Sequence, residues 1–388
     1  MKKGCFVIKR LTVFLLAVIV LSAFIPAAQA VTDRDLEQKR EEIAQHLLTF
    51  PTPSVSSVGG EWMIIGLARS GKLSRQMADG YYANVQSYVR TVGSAKLHRS
   101  KSTDNSRLII ALTSIGKDPR DIAGYNLIEP LADFDFVKKQ GINGAIWALI
   151  ALDTMQYEIP FDSTVRKFTT REVLIEEILA SQCSDGGWDL NGESADPDVT
   201  GMAIQALAPY YSTDEKVRRA VEKALALISA NQNSDGSFLG GGENTPESCA
   251  QIITALSALN IDCNSDSRFI KNNRSIADSL MSFSVKGGFV HTMGGGYNQM
   301  STEQGYYALV AYNRMLRGKN PLYDMTDLSV KGDIDSDGKA TIDDATLIQR
   351  YLADLADFSR LQKKLSDLYS DDRITIDDVT WLQRKLAG

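Results

Sequence analysis

Histidine and cysteine are scarce, with three and four in 388 residues. So few soft ligands leave little room for a Cys/His metal cluster, and no zinc is expected. An excess of positive charge is missing as well. Against 48 Asp and Glu stand 42 Lys and Arg, which argues against a nucleic-acid binder. Beyond the first thirty residues no long apolar run occurs, so nothing there is suited to span a bilayer. With 44% hydrophobic and 23% charged residues the chain is not disordered and has ample material for a core.

The first thirty residues differ in character. Lys2, Lys3, Lys9 and Arg10 precede an apolar run from Leu11 to Ile25 that ends in Ala28-Gln29-Ala30. A basic start, a short apolar stretch and an A-x-A site describe a secretory signal peptide over residues 1–30. Those four cations are its only charged groups, so cleavage takes the formal charge from −6 to −10. The mature protein is expected to be secreted and free of the membrane. Three cysteines remain, Cys183, Cys249 and Cys263, too few and too odd in number for a disulfide framework.

The last sixty residues carry the most specific pattern. From Asp333 as position 1, oxygen ligands fall at 3 (Asp335), 5 (Asp337), 9 (Thr341) and 12 (Asp344). Lys339 at position 7 would add its backbone carbonyl, and Gly338 stands at 6, where the chain must turn. Carboxylates at alternate positions wrap hard oxygens around one point, which is what Ca²⁺ requires. The stretch Thr341–Leu352 then recurs as Thr375–Leu386, identical at eight of twelve positions with an offset of 34. The second loop offers Asp367, Asp371, the Arg373 carbonyl, Thr375 and Asp378. It has Tyr369 at position 3 and Asp372 at position 6, so its Ca²⁺ affinity should fall. Each copy reads as a loop followed by a helix, with no obvious helix entering the loop.

Tandem loop–helix repeats of this kind resemble a type I dockerin, here over residues 331–388. The resemblance implies calcium-dependent binding to a cohesin domain of a scaffolding protein, as in cellulosomes. Its cohesin-facing residues would lie near the helix starts and on the helices: Ile342, Asp343, Arg350, Ile376, Asp377 and Arg384.

Residues 31–320 read as a helical array. A small residue followed by Leu recurs six times, at Gly66-Leu67, Ala111-Leu112, Ala148-Leu149, Ala206-Leu207, Ala255-Leu256 and Ala308-Leu309. Most of these runs are apolar nearly all round and should be buried. Amphipathic stretches lie between them, such as Val217, Ala220, Val221, Ala224, Leu225 and Ile228 on one face of a helix. Buried helices alternating with half-exposed ones predict an all-α fold, an α/α toroid of about six helix pairs, with an open solenoid as the alternative. Residues 321–330 are read as a linker.

Gln182-Cys183-Ser184-Asp185-Gly186-Gly187-Trp188 is echoed by Gln232-Asn233-Ser234-Asp235-Gly236-Ser237-Phe238, and more faintly by Gly287-Gly288-Phe289. These are similar to the repeats of the squalene-cyclase and prenyltransferase superfamily, whose fold is this toroid. The glycines permit tight turns and the aromatics plug gaps, so the repeats are expected to staple the fold. Asp196-Pro197-Asp198-Val199-Thr200 resembles the acid motif of triterpene cyclases, with Asp198 as the proton donor, but Val199 replaces its next Asp. The simpler reading is that Asp198 caps its helix, as Glu247 does after Pro246.

Acids and aromatics gather on loops at one rim: Trp188, Glu193, Asp196, Glu243, Glu247, Tyr297 and Glu303 among them. In an exported protein they suit a plant polysaccharide. The expectation is a toroid with a binding or accessory role in polysaccharide degradation. A glycoside hydrolase or polysaccharide lyase is the alternative, and a terpene-cyclase-like enzyme a more distant one.

Overall fold

A computed structural model describes residues 30–335 and 337–388. The expected leader, apart from Ala30, lies outside the described residues. Helix α1 (Asp33–Leu47) leads to α2 (Trp62–Arg69), and ten more helices complete the toroid. They are α3 (Arg75–Val92), α4 (Ser102–Ser114), α5 (Phe134–Val137), α6 (Gly141–Asp153), α7 (Arg171–Ala180), α8 (Pro197–Leu207), α9 (Glu215–Asn231), α10 (Pro246–Ala258), α11 (Ile276–Ser282) and α12 (Gln299–Leu316). Small hairpins precede α10 (β1, Leu239–Gly240; β2, Glu243–Asn244) and α12 (β3, Ser284–Val285; β4, Gly288–Val290; β5, Tyr297–Asn298).

The even-numbered helices form a closed inner ring. Each packs on the next, and α12 returns to α2. Where they meet, Gly66 leaves room for the Tyr306 ring, and Gln205 Nε2 donates to Gln251 Oε1 at 3.0 Å. All six small–Leu pairs fall on these inner helices. Helices touched on all sides must be apolar around their whole circumference, as α6 is from Ala145 to Leu152. Of the odd-numbered helices, α1, α3, α7 and α9 bury one face only. The inward face of α9 is Val217, Ala220, Val221, Ala224, Leu225 and Ile228, as its periodicity predicts. The result is an α/α toroid, not an open solenoid.

The Gly–aromatic loops behave as staples. Trp188 is fully buried and its Nε1 donates to Ile178 O at 2.7 Å, while Gln182 Nε2 donates to Ala220 O and Gly186 O. The second copy repeats this: Gln232 Nε2 bonds Phe269 O and Gly236 O, and Phe238 is buried. A side chain at Gly236 would meet Ser275 O at 2.1 Å, so only glycine allows that close approach. Trp188 N and Phe289 N each donate to a helix threonine, Thr200 and Thr302, at 2.9 and 3.0 Å.

A second, separate core lies in the C-terminal unit, built from Ile334, Ala345, Ile348, Leu361, Leu365, Val379 and Leu382. Its helices are α13 (Ile342–Leu352), α14 (Arg360–Ser366) and α15 (Ile376–Ala387), with α13 packed on α15. Helix α14 runs directly into the second loop, so that copy does have an entering helix, contrary to the expectation from sequence. Seven residues with three charges among them gave no periodic signal. The segment read as a linker is packed against the toroid. Leu322, Tyr323 and Met325 join the larger core, and Arg69 donates to Leu322 O, Asp324 O and Asp327. Across the two units, Arg120 Nη2 donates to Asp335 O at 2.7 Å and Leu361 N to Gln156 Oε1 at 3.0 Å.

Candidate functional site

At the end of the ring where the inner helices begin, Asp198 and Glu247 stand in the first turns of α8 and α10. Helix α8 is capped by Asp196, whose Oδ1 accepts from Asp198 N and Val199 N at 2.9 and 3.1 Å. The cap is therefore Asp196 and not Asp198, because the proline fixes the first helical residue one position earlier. In the same way Thr245 caps α10, not Glu247. Asp198 sits inside the first turn with one carboxyl oxygen buried and unpartnered. Burial pushes it up to about 6, against the pull of the Ser248 hydroxyl, with Asp196 and Glu247 adding like charge.

Glu247 is buried beside it and accepts from the Ser301 hydroxyl and pairs with His291 Nδ1 at 3.0 Å. Asp198, Glu247 and His291 thus form one electrostatic group. Glu303 belongs to another. It accepts from Gly59 N at 2.9 Å and from Gln299 Nε2 at 3.0 Å, and burial raises it to about 7. The neighbour that adds to this rise is Glu61, fully buried and held by Arg107 Nε at 2.7 Å and the Tyr81 hydroxyl at 3.1 Å. Two carboxyl groups that hold protons near neutrality are capable of acid catalysis. They lie on helices that are not ring neighbours.

Of the other rim candidates, Glu193 and Glu243 are solvent-exposed on their loops. Trp188 is not a rim platform, because its ring is wholly inside the staple. Tyr297 is partly exposed and packs edge-on against His46 of α1, towards the outer layer. Glu61, Arg107 and His291 were missed in this role. A lone acid after Gly59-Gly60, directly before an apolar helix, was the one available hint.

In the first C-terminal loop, carboxylate oxygens of Asp333, Asp335 and Asp337 come within 4.8 Å of one another, the one such grouping among the described residues. Asp333 accepts from Asp337 N and Gly338 N, and burial raises it to about 6. Asp344 is buried and accepts from Ile334 N, Asp335 N, Thr341 N and the Thr341 hydroxyl. It thereby completes the capping box of α13. The second loop reproduces the frame 34 residues later. Asp371 N and Asp372 N donate to Asp367, Leu368 N and Thr375 N to Asp378, and Arg373 N to Asp371. Asp372 holds φ +61° where Gly338 has +95°, and Tyr369 points no carboxylate at the centre. The exposed faces of α13 and α15 carry Ile342, Asp343 and Arg350, and Ile376, Asp377 and Arg384; all six are exposed.

Residues 331–387 match the model of the dockerin type I domain. The chain thus carries a type I dockerin domain there, after the α/α toroid. No curated protein matches the sequence. Among solved structures it is similar to an apo variant of the type II terpene cyclase MstE from Scytonema, at 12% identity and a TM-score of 0.46. That match covers 73% of this chain and 98% of the other. A second variant of the same enzyme, in complex with its substrate geranylgeranyl dihydroxybenzoate, is 11% identical with a TM-score of 0.48. It covers 73% and 99% of the two chains. Among the described residues no helix is long and apolar enough to cross a membrane.

Proposed function

We propose that this is a secreted component of a cellulosome-type assembly, docked by calcium-dependent binding of its dockerin to a cohesin. The toroid rides as cargo with a binding or accessory role in polysaccharide degradation. The division is a signal peptide at 1–30, a toroid at 31–320, a linker at 321–330 and a dockerin at 331–388. The observation that carries the reading is the type I dockerin match over two loops with the same backbone frame.

Ca²⁺ bound in the first loop would be held by Asp333, Asp335, Asp337, the Lys339 carbonyl, Thr341 and Asp344. The clustered oxygens of the first three support this donor set. Asp344 already accepts four hydrogen bonds, about as many as a carboxylate has lone-pair sites, so a bound cation would take the place of at least one of them. In the second loop Asp367, Asp371, the Arg373 carbonyl, Thr375 and Asp378 would hold Ca²⁺ more weakly. Ile342 and Ile376 are large apolar residues left in water on equivalent faces, as a partner surface requires.

The test is capture of the mature protein by an immobilised type I cohesin. Binding should need calcium and should vanish in chelator and in the double variant Asp333→Ala, Asp344→Ala. Capture that survives both would refute the assignment. A second reading, a toroid active as a polysaccharide hydrolase or lyase, is favoured by one feature: the half-buried Asp198 acid beside Glu247 and His291. It requires release of product from a plant polysaccharide that Asp198→Asn abolishes.

A further inference from the structure

At the opposite end of the ring, where the inner helices finish, lies a cavity of about 620 Å³. Its size falls within the range of small-molecule sites. Its floor is the apolar surface of Ile150, Ala206 and Ala258, and its wall the tyrosines Tyr157 and Tyr210 with Pro209. Leu322 and Tyr323, packed against the toroid, and Ser359 of the dockerin complete the lining. The polar edge is pre-arranged. Asp153 accepts from Arg171 Nε at 2.7 Å and from the Tyr210 hydroxyl at 2.8 Å, and Arg171 is held further by Leu152 O and Tyr157 O.

The chemistry of the lining selects a ligand. Asp153, Glu158 and Asp324 outnumber Arg171, so the charge around the cavity is negative. Helix carboxyl ends add the negative pole of the helix dipole, since Asp153 and Ala258 are the last residues of α6 and α10. Such a surface repels phosphates, diphosphates and carboxylates and accepts hydrogen bonds. Two lining residues, Gln205 and Tyr323, also have a buried Oε1 and hydroxyl with no partner. A donor-rich, uncharged molecule with flat apolar faces meets all these conditions. Hydroxyls would be taken by the Asp153–Arg171 pair and ring faces by the tyrosines.

We propose that this cavity is a binding site for a neutral oligosaccharide of di- to trisaccharide size, shared between the toroid and its dockerin end. The inference rests on reading the toroid as a glycan-binding cargo and moves its glycan site away from the acidic rim.

Calorimetric titration of the full chain with cellotriose, xylotriose and tri-galacturonate tests it, beside adsorption to insoluble cellulose and xylan. The comparison variants are Asp153→Asn, which unsettles the polar edge, and Ala258→Trp, which fills the cavity; circular dichroism melts check that both fold. At least one neutral trisaccharide should bind, the acidic one should not, and each variant should lose about tenfold or more. Binding unaffected by both variants, or equal binding of tri-galacturonate, overturns the cavity assignment. So does adsorption to polysaccharide without trisaccharide binding, which spares the cargo reading. No binding of any glycan overturns both, while cohesin capture in the same preparations reports separately on docking.

Discussion

Replacing Glu303 by glutamine should make the protein's stability less sensitive to pH, by an amount the structure allows to be worked out. Glu303 is 1% exposed, and burial raises its carboxyl from the ordinary 4.5 to about 7. The folded state therefore holds a proton that the unfolded state releases across that window. Stability gained below the unfolded value is lost as the pH climbs from 4.5 to about 7 and stays lost above it. A rise of about 2.5 pH units at roughly 1.36 kcal/mol each makes the loss about 3 kcal/mol.

Glutamine keeps an acceptor oxygen for Gly59 N and Gln299 Nε2 and cannot ionise. Its new amide protons lack a partner, at a cost of about 1–3 kcal/mol that does not depend on pH. The quantity to measure is the difference in unfolding free energy between Glu303→Gln and the parent, by urea titration of the toroid transition from pH 4 to 8.5. Other titrating groups, including the carboxylates of the calcium loops, cancel in that difference. It should move in favour of the variant by about 3 kcal/mol between pH 4 and 8 and then level off. A difference that is flat across this range, or that favours the variant at low pH, would refute the reasoning.

Trp188→Ala should destabilise the toroid by about 3–5 kcal/mol, because a fully buried ring is removed and Ile178 O loses its donor. Trp188→Phe should cost less; a loss below about 1 kcal/mol for the alanine variant in chemical denaturation would show that the loop is not a staple. In the second calcium loop, Asp372→Gly removes a side chain from a left-handed backbone position. Calcium titration should show the weaker site tightening by about threefold, worth ~0.7 kcal/mol, and an unchanged or weaker site would contradict the account.

Much of this was legible in the residues because it depends on local spacing. Recurring small–Leu pairs marked all six inner helices, since a helix touched on every side favours small and apolar residues at those positions. The calcium loops were equally legible, because their oxygens lie within twelve residues of one another and the chain needs only to turn. The cap of α8 was misassigned by two residues, Asp196 for Asp198, as proline sets the helix start from within the chain but two nearby acids satisfy the pattern.

Sequence by itself determined the helix pairs, their inner and outer layers, and the paired loops at the C-terminal end, features read along one chain, while the return of α12 to α2 that closes the ring came from the tertiary structure. Only the tertiary structure decided which acids keep their protons. Asp198 is set against Glu247 and His291, and Glu303 against Glu61 and Gly59, partners between 49 and 244 residues away. It alone decided that residues 321–327 are bound down by Arg69 and Arg314 instead of swinging free. And it alone opened a cavity beneath Tyr323. Desolvation and cavity shape depend on what surrounds a group in space, and closing a ring brings together residues whose separation along the chain says nothing of it.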